Sequence, residues 1–129
     1  DPQAADGKAL KLFNTHYEWC TTLRMARFVF RPGRKYTLRV RLRVEPKEGA
    51  SGEAVWAGVY DPVGKRNCGA GLTLKVSDVH GGYRWYDVQA WEPKPTDYFW
   101  IGPGRFNRKK GESSSVGGVW IDKVEMVEL

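Results

Sequence analysis

The chain has 129 residues, of which 41% are hydrophobic and 28% charged, and it carries 6 Trp, 6 Tyr and 5 Phe with a formal charge of +6. That length supports one core and one domain, and the composition excludes intrinsic disorder. No apolar run approaches the ~20 residues of a membrane-spanning helix.

The chain opens Asp1-Pro2-Gln3-Ala4-Ala5, with neither an initiator Met nor a basic-then-apolar leader. The expectation is a fragment of a longer exported protein whose signal peptide lies upstream. The basic residues are clustered. Residues 21–44 hold eight of them and no acid, and residues 105–110 hold four more. The remainder has nine basic and fifteen acidic side chains, so the excess charge is regional. A regional excess points to an anionic partner or to a solvated face.

Strand patterns dominate, and no stretch of ten residues keeps helical periodicity without Gly or Pro. Lys8 to Phe13 reads as a first short strand. Glu18 to Cys20 and Leu23 to Phe30 read as one or two more. Arg31-Pro32-Gly33-Arg34 is a turn. Tyr36 to Glu45 is the clearest strand: Tyr36, Leu38, Val40, Leu42 and Val44 alternate with Thr37, Arg39, Arg41 and Arg43. Glu53 to Tyr60 follows, ended by Asp61-Pro62-Val63-Gly64. Further strands are expected at Gly71 to Val76, Tyr83 to Ala90 and Tyr98 to Gly102. Residues 104–115 form a polar loop, and Val116 to Leu129 is the last strand, with Gly117-Gly118 marking a bulge or kink. Some eight strands separated by turns predict an all-β fold, a sandwich or a barrel.

Parity places the aromatic residues. Val55, Ala57 and Val59 oppose Trp56, Gly58 and Tyr60. Val88 and Ala90 oppose Trp85, Asp87, Gln89 and Trp91. Phe99 and Ile101 oppose Tyr98 and Trp100. With the aliphatic side in the core, Trp56, Tyr60, Trp85, Trp91, Tyr98 and Trp100 face outward, and the opposite parity would bury them. Indole and phenol faces accept the C–H faces of pyranose rings, and guanidinium forks bind carboxylate or sulfate. The stacking candidates are Trp56, Tyr60, Trp85 and Trp100, with Trp19 in a second segment, His16 to Trp19. The polar candidates are Arg39, Arg41 and Asp87. Whether the Arg row and the aromatic strands share a sheet decides whether they form one site.

Residues Phe28 to Glu45 resemble a segment of galactose-binding-like jelly rolls, the fold of carbohydrate-binding modules of families 4, 9 and 22. Ala5 to Leu12 resembles their first strand and Val119 to Met126 their last. The resemblance implies a jelly-roll β-sandwich of two antiparallel sheets. It also implies a non-catalytic module that holds a secreted bacterial enzyme on a polysaccharide, an acidic one included. Its partners would be that glycan and a catalytic domain in the same chain, in an extracellular or cell-surface setting without membrane contact. The resemblance further implies a structural calcium held near Asp6 and Asp122, hard oxygen ligands that would tie the chain ends together.

Other function classes are weaker. His16 and His80 are the available imidazoles, and no Ser-centred elbow, phosphate loop or zinc spacing is present. Glu18, Asp61 and Asp87 are the carboxylates that could pair for glycoside hydrolysis. Ala57 to Tyr60 and the Arg39, Arg41, Arg43 row resemble strands of alginate lyases, but Trp56 and Asp61-Pro62 replace that motif's polar residues. Basic residues among aromatics also suit single-stranded nucleic acid, and the aromatics could instead pack against a parent enzyme in a structural or interaction module. Cys20 and Cys68 are either one disulfide or two buried thiols.

Overall fold

The computed structural model describes residues 2–5, 7–13, 21–49, 52–79, 81–104 and 116–129. Among these residues the chain forms nine strands: β1 (Leu10–Phe13), β2 (Thr21–Arg24), β3 (Tyr36–Pro46), β4 (Glu53–Asp61), β5 (Arg66–Asn67), β6 (Leu72–Lys75), β7 (Arg84–Trp91), β8 (Tyr98–Pro103) and β9 (Val116–Glu128). They pair antiparallel in two sheets. One has the order β1-β9-β3-β7; the other runs β2-β8-β4-β5, with β6 also paired to β4. The chain is a jelly-roll β-sandwich, as its strand pattern and family resemblance predict.

The core lies between the sheets. β3 supplies it with Leu38, Val40, Leu42 and Val44, and β4 with Val55, Ala57 and Val59, all buried. Alternation turns Arg39, Arg41 and Arg43 of β3 and Trp56 and Tyr60 of β4 outward, while a bulge adds Ala54 to the core. Phe99 and Ile101 of β8 complete the layer from the second sheet.

The expected strand Leu23 to Phe30 is not one. β2 stops at Arg24, and a 3₁₀ turn, Met25–Arg27, drops Met25 into the core at 0% exposure. The Met25 N–H donates to the carbonyl of Asp97 at 2.9 Å, which ties this turn to the start of β8. Val29, expected within the strand, is fully exposed.

Four bulges interrupt the ladders, one of them at Ala54 of β4, where Glu53 pairs with Lys75 but Val55 with Leu74. On β9, Gly118 pairs with Glu45 and Val116 with Pro46, so Gly117 is the extra residue where the Gly-Gly pair predicted a kink. Further along, Lys123 pairs with Arg41 and Ile121 with Leu42, which leaves Asp122 as a second extra residue. On β7, Gln89 pairs with Leu38 but Asp87 with Arg39, which leaves Val88 extra. An extra residue reverses the in–out alternation beyond it. Trp91, expected outward with Trp85 and Asp87, therefore points inward. It is 7% exposed in the core, and its indole N–H donates to Asp97 Oδ2 at 3.1 Å.

Candidate functional site

The outward residues of the β2-β8-β4-β5 sheet form an aromatic strip. On β4 they are Trp56, Gly58 and Tyr60; on β8 they are Trp100 and Tyr98. The register pairs Gly58 with Trp100 and Tyr60 with Tyr98. Directly opposed residues share a face, so four rings cluster on two adjacent strands. The Trp56 and Trp100 ring centroids are 4.3 Å apart, edge to face, and those of Tyr60 and Tyr98 are 5.5 Å apart. From Trp56 to Tyr60 the strip runs about 13 Å along the strand.

Gly58 is required where it stands. A Cβ there would lie 2.6 Å from the Trp100 ring, so the indole packs closely against bare backbone. Trp100 is consequently only 7% exposed and supports the strip more than it presents a surface, whereas Trp56, Tyr60 and Tyr98 are half-buried. Burial first, and the neighbouring Tyr60 phenol second, push the Tyr98 hydroxyl above its ordinary 10.0, so it remains a protonated donor at neutral pH. By register, Thr22 and Arg24 of β2 flank the rings on one side, and Thr73 of β6 and Asn67 of β5 on the other. All four are exposed.

The Arg row stands elsewhere. Arg39, Arg41 and Arg43 project from β3 on the outer face of the other sheet. Arg39 lies 4.6 Å over the Trp85 ring and pairs with Asp87 at 3.6 Å and Glu125 at 3.3 Å. Arg41 lies 4.9 Å over Tyr83 and bonds Asp122. Arg43 lies 3.8 Å over Trp120 and pairs with Glu45 at 3.0 Å. Lys11 sits 4.8 Å from the same Trp120 ring. Cations and rings thus alternate across this face, each arginine already facing a carboxylate.

The predicted site residues therefore divide. Trp56, Tyr60 and Trp100 come together on one sheet, joined by Tyr98. Trp85, Arg39, Arg41 and Asp87 stand on the other, where Arg39 binds Trp85 and Asp87 while Arg41 binds Tyr83 and Asp122. Trp19 and Asp6 lie outside the described residues, as do His16, Glu18, Cys20 and His80. Cys68 is a half-buried free thiol, pushed up to about 11 by burial and, after that, by the charges of Asp97 and Asp61. The Arg row and the Ala57 to Tyr60 strand, the two segments that resemble alginate lyases, stand on different sheets.

The residues around Asp122 do not fit a calcium ion. The Asp122 carboxylate is fully buried, accepts the Ala5 N–H at 3.3 Å and is bonded by the Arg41 guanidinium. A guanidinium in contact places a positive charge where the metal would bind. Among the described residues no group of three His, Cys, Asp or Glu side chains could hold a metal.

At one end of the sandwich, a half-open cavity of about 360 Å³ separates the sheets. Asp61 and Asp97, buried at 2% and 0% exposure, line it. Asp61 Oδ1 accepts the N–H groups of Val63 and Gly64, and Oδ2 accepts Lys94 Nζ at 2.9 Å. The Gly64 N–H first, then Lys94, hold the Asp61 carboxyl below its ordinary 3.8. Sequence reading named Asp61 only as a carboxylate that could pair with Glu18 or Asp87, and assigned no role to Asp97 or Lys94. The one available signal was Asp61-Pro62-Val63-Gly64, a turn whose aspartate accepts its own backbone N–H groups.

Two solved structures share the fold. The EclA C-terminal domain, described as a sugar-binding protein, matches with a TM-score of 0.55 and 10% identity over 92% of this chain and 76% of that one. A Clostridium thermocellum xylanase 10B structure, comprising CBM22-1 and GH10 modules complexed with xylohexaose, matches with a TM-score of 0.57 and 13% identity. That match covers all of this chain and 23% of the xylanase chain. The fold is thus that of carbohydrate-binding modules. No family model and no curated protein matches the sequence.

Proposed function

We propose that the domain is a non-catalytic carbohydrate-binding module that grips a polysaccharide on the aromatic strip of β4 and β8. The observation that carries this reading is the cluster of Trp56, Tyr60, Tyr98 and Trp100 on one sheet face, with Gly58 bare beneath the Trp100 ring. Rings held edge to face, with exposed threonine, asparagine and arginine beside them, give sugar rings an apolar floor and their hydroxyls polar partners. Trp56 and Tyr60 stack, Trp100 and Tyr98 support them, and Arg24 and Asn67 bind hydroxyls.

A neutral chain suits this face better than an acidic one. Among the described residues the register puts one guanidinium, Arg24, beside the rings, while Arg39, Arg41 and Arg43 occupy the other sheet in ion pairs. The likeness of the end strands to modules of polysaccharide-degrading enzymes supports the wider reading. In it, the module holds a secreted bacterial catalytic domain on its substrate outside the cell.

Affinity electrophoresis against xylan, mixed-linkage glucan, galactomannan, alginate and polygalacturonate tests the proposal. At least one neutral glycan should retard the protein, and Trp56→Ala or Tyr60→Ala should each weaken that binding tenfold or more. This corresponds to at least about 1.4 kcal/mol per ring. Normal mobility in every gel would sink the reading.

A further inference from the structure

The cavity between the sheets has a chemistry that the fold does not use. Asp97 Oδ2 accepts both the Trp91 indole N–H at 3.1 Å and the Lys94 backbone N–H at 2.9 Å, but Asp97 Oδ1, equally buried, has no partner. Just behind the wall, the Gln89 amide also has neither atom partnered. A Cβ on Gly69, next to the lining residue Cys68, would come within 3.1 Å of that amide. Three of the four partnerless buried polar side-chain atoms among the described residues thus gather at this end. Buried polar atoms left unpaired are costly and mark places where a ligand or ordered water completes the bonding.

The partner of Asp97 Oδ1 must be a donor. An anion is repelled by that oxygen. A metal ion would find one free carboxylate oxygen, with Lys94 and Arg66 as competing cations at the wall. A neutral hydroxyl fits both constraints, and the Trp91 ring beside it supplies an apolar surface for C–H groups. The volume lies at the lower end of the ~300–1,000 Å³ range of small-molecule sites. The location adds a reason: Asp61 and Asp97 directly adjoin Tyr60 and Tyr98, the paired rings at this end of the aromatic strip.

We propose that this cavity is a second carbohydrate site, distinct from the aromatic face, which takes the terminal unit of an uncharged glycan and bonds one of its hydroxyls to Asp97 Oδ1. It rests on the reading above for the class of ligand only. The module then recognises a chain end as well as a chain interior.

The test is NMR titration of the intact domain with methyl glycosides of glucose, galactose, mannose, xylose and fucose, followed at the Trp91 indole N–H. Single sugars are too short to bridge the rings of the open face, so they report the cavity. At least one glycoside should shift the Trp91 resonance saturably and leave the Trp56 resonance in place. Asp97→Asn retains one oxygen for the Trp91 and Lys94 bonds and turns the free acceptor into a donor; it should weaken that titration at least tenfold. Glu92→Trp, at the exposed rim, should abolish it even if Asp97→Asn fails to fold. The response should persist in a Trp56→Ala, Tyr60→Ala protein. A silent Trp91 resonance with every glycoside, or unchanged binding by both cavity variants, would overturn the proposal. Retardation by polysaccharide reads the open face separately, so the failure of either site leaves the other measurable.

Discussion

Asp61 shows how one residue serves both turn and cavity. Its side chain accepts two backbone N–H groups of its own turn and a lysine from the β7–β8 connection. These bonds favour the ionised form, so its pKa is lowered in the folded state. A lowered carboxyl pKa contributes stability that is present above the unfolded value and disappears as pH falls through the folded one. The melting temperature of the parent should therefore exceed that of Asp61→Asn by a constant margin from neutral pH down to about pH 5, and the margin should shrink below about pH 4. A margin independent of pH down to acid unfolding would contradict this account. The residue was legible in the sequence as a turn former; its lysine partner, 33 positions away, was not.

At the scale of the strand, β3 and β9 show what alternation can and cannot tell. The Leu-Arg-Val-Arg-Leu-Arg run of β3 sorts into core and surface as its sequence predicts. Its partners are set by the bulges. Asp122 is the extra residue of β9, and the bulge aims its carboxylate at Arg41 and the Ala5 N–H. Removing one member of such a buried pair leaves an uncompensated charge. Arg41→Ala should lose about 3–5 kcal/mol of unfolding free energy in a denaturant titration. The Arg41→Ala, Asp122→Ala double variant should recover part of that loss, because no orphan charge remains. Equal stability of the single and double variants would mean that the carboxylate is solvated once Arg41 is gone. The same bulge logic explains Trp91: seen along the sequence, it keeps step with Trp85 and Asp87, and one inserted residue, Val88, turns it inward.

For the whole molecule, the two outer faces are chemically different. One is an aromatic strip; the other is a lattice of arginines, rings and carboxylates whose charges largely cancel. Three of the eight cations in the basic stretch, Arg39, Arg41 and Arg43, thus belong to an ion-paired face, and Arg31 and Arg34 pair with Glu128. Arg41 also takes the position that a calcium would need at Asp122, and through Asp122 it links β3, β9 and the N-terminal segment. The melting temperature should accordingly be the same in EDTA and in millimolar calcium, since an ion that binds only the folded state must raise it. A fall in EDTA would restore a calcium site, with Asp6 among its ligands.

The sequence by itself determined the all-β class, most strand positions and the inward face of β3. These follow from period-two alternation, which a strand obeys locally whatever it pairs with. Only the tertiary structure decided which strands share a sheet, and with that the division of the expected site into an aromatic strip and an ion-paired face. It also decided the reversal of Trp91 and the cavity around Asp97. Sheet membership and bulges depend on hydrogen bonds between segments far apart in the chain, and a single strand carries no record of its partner.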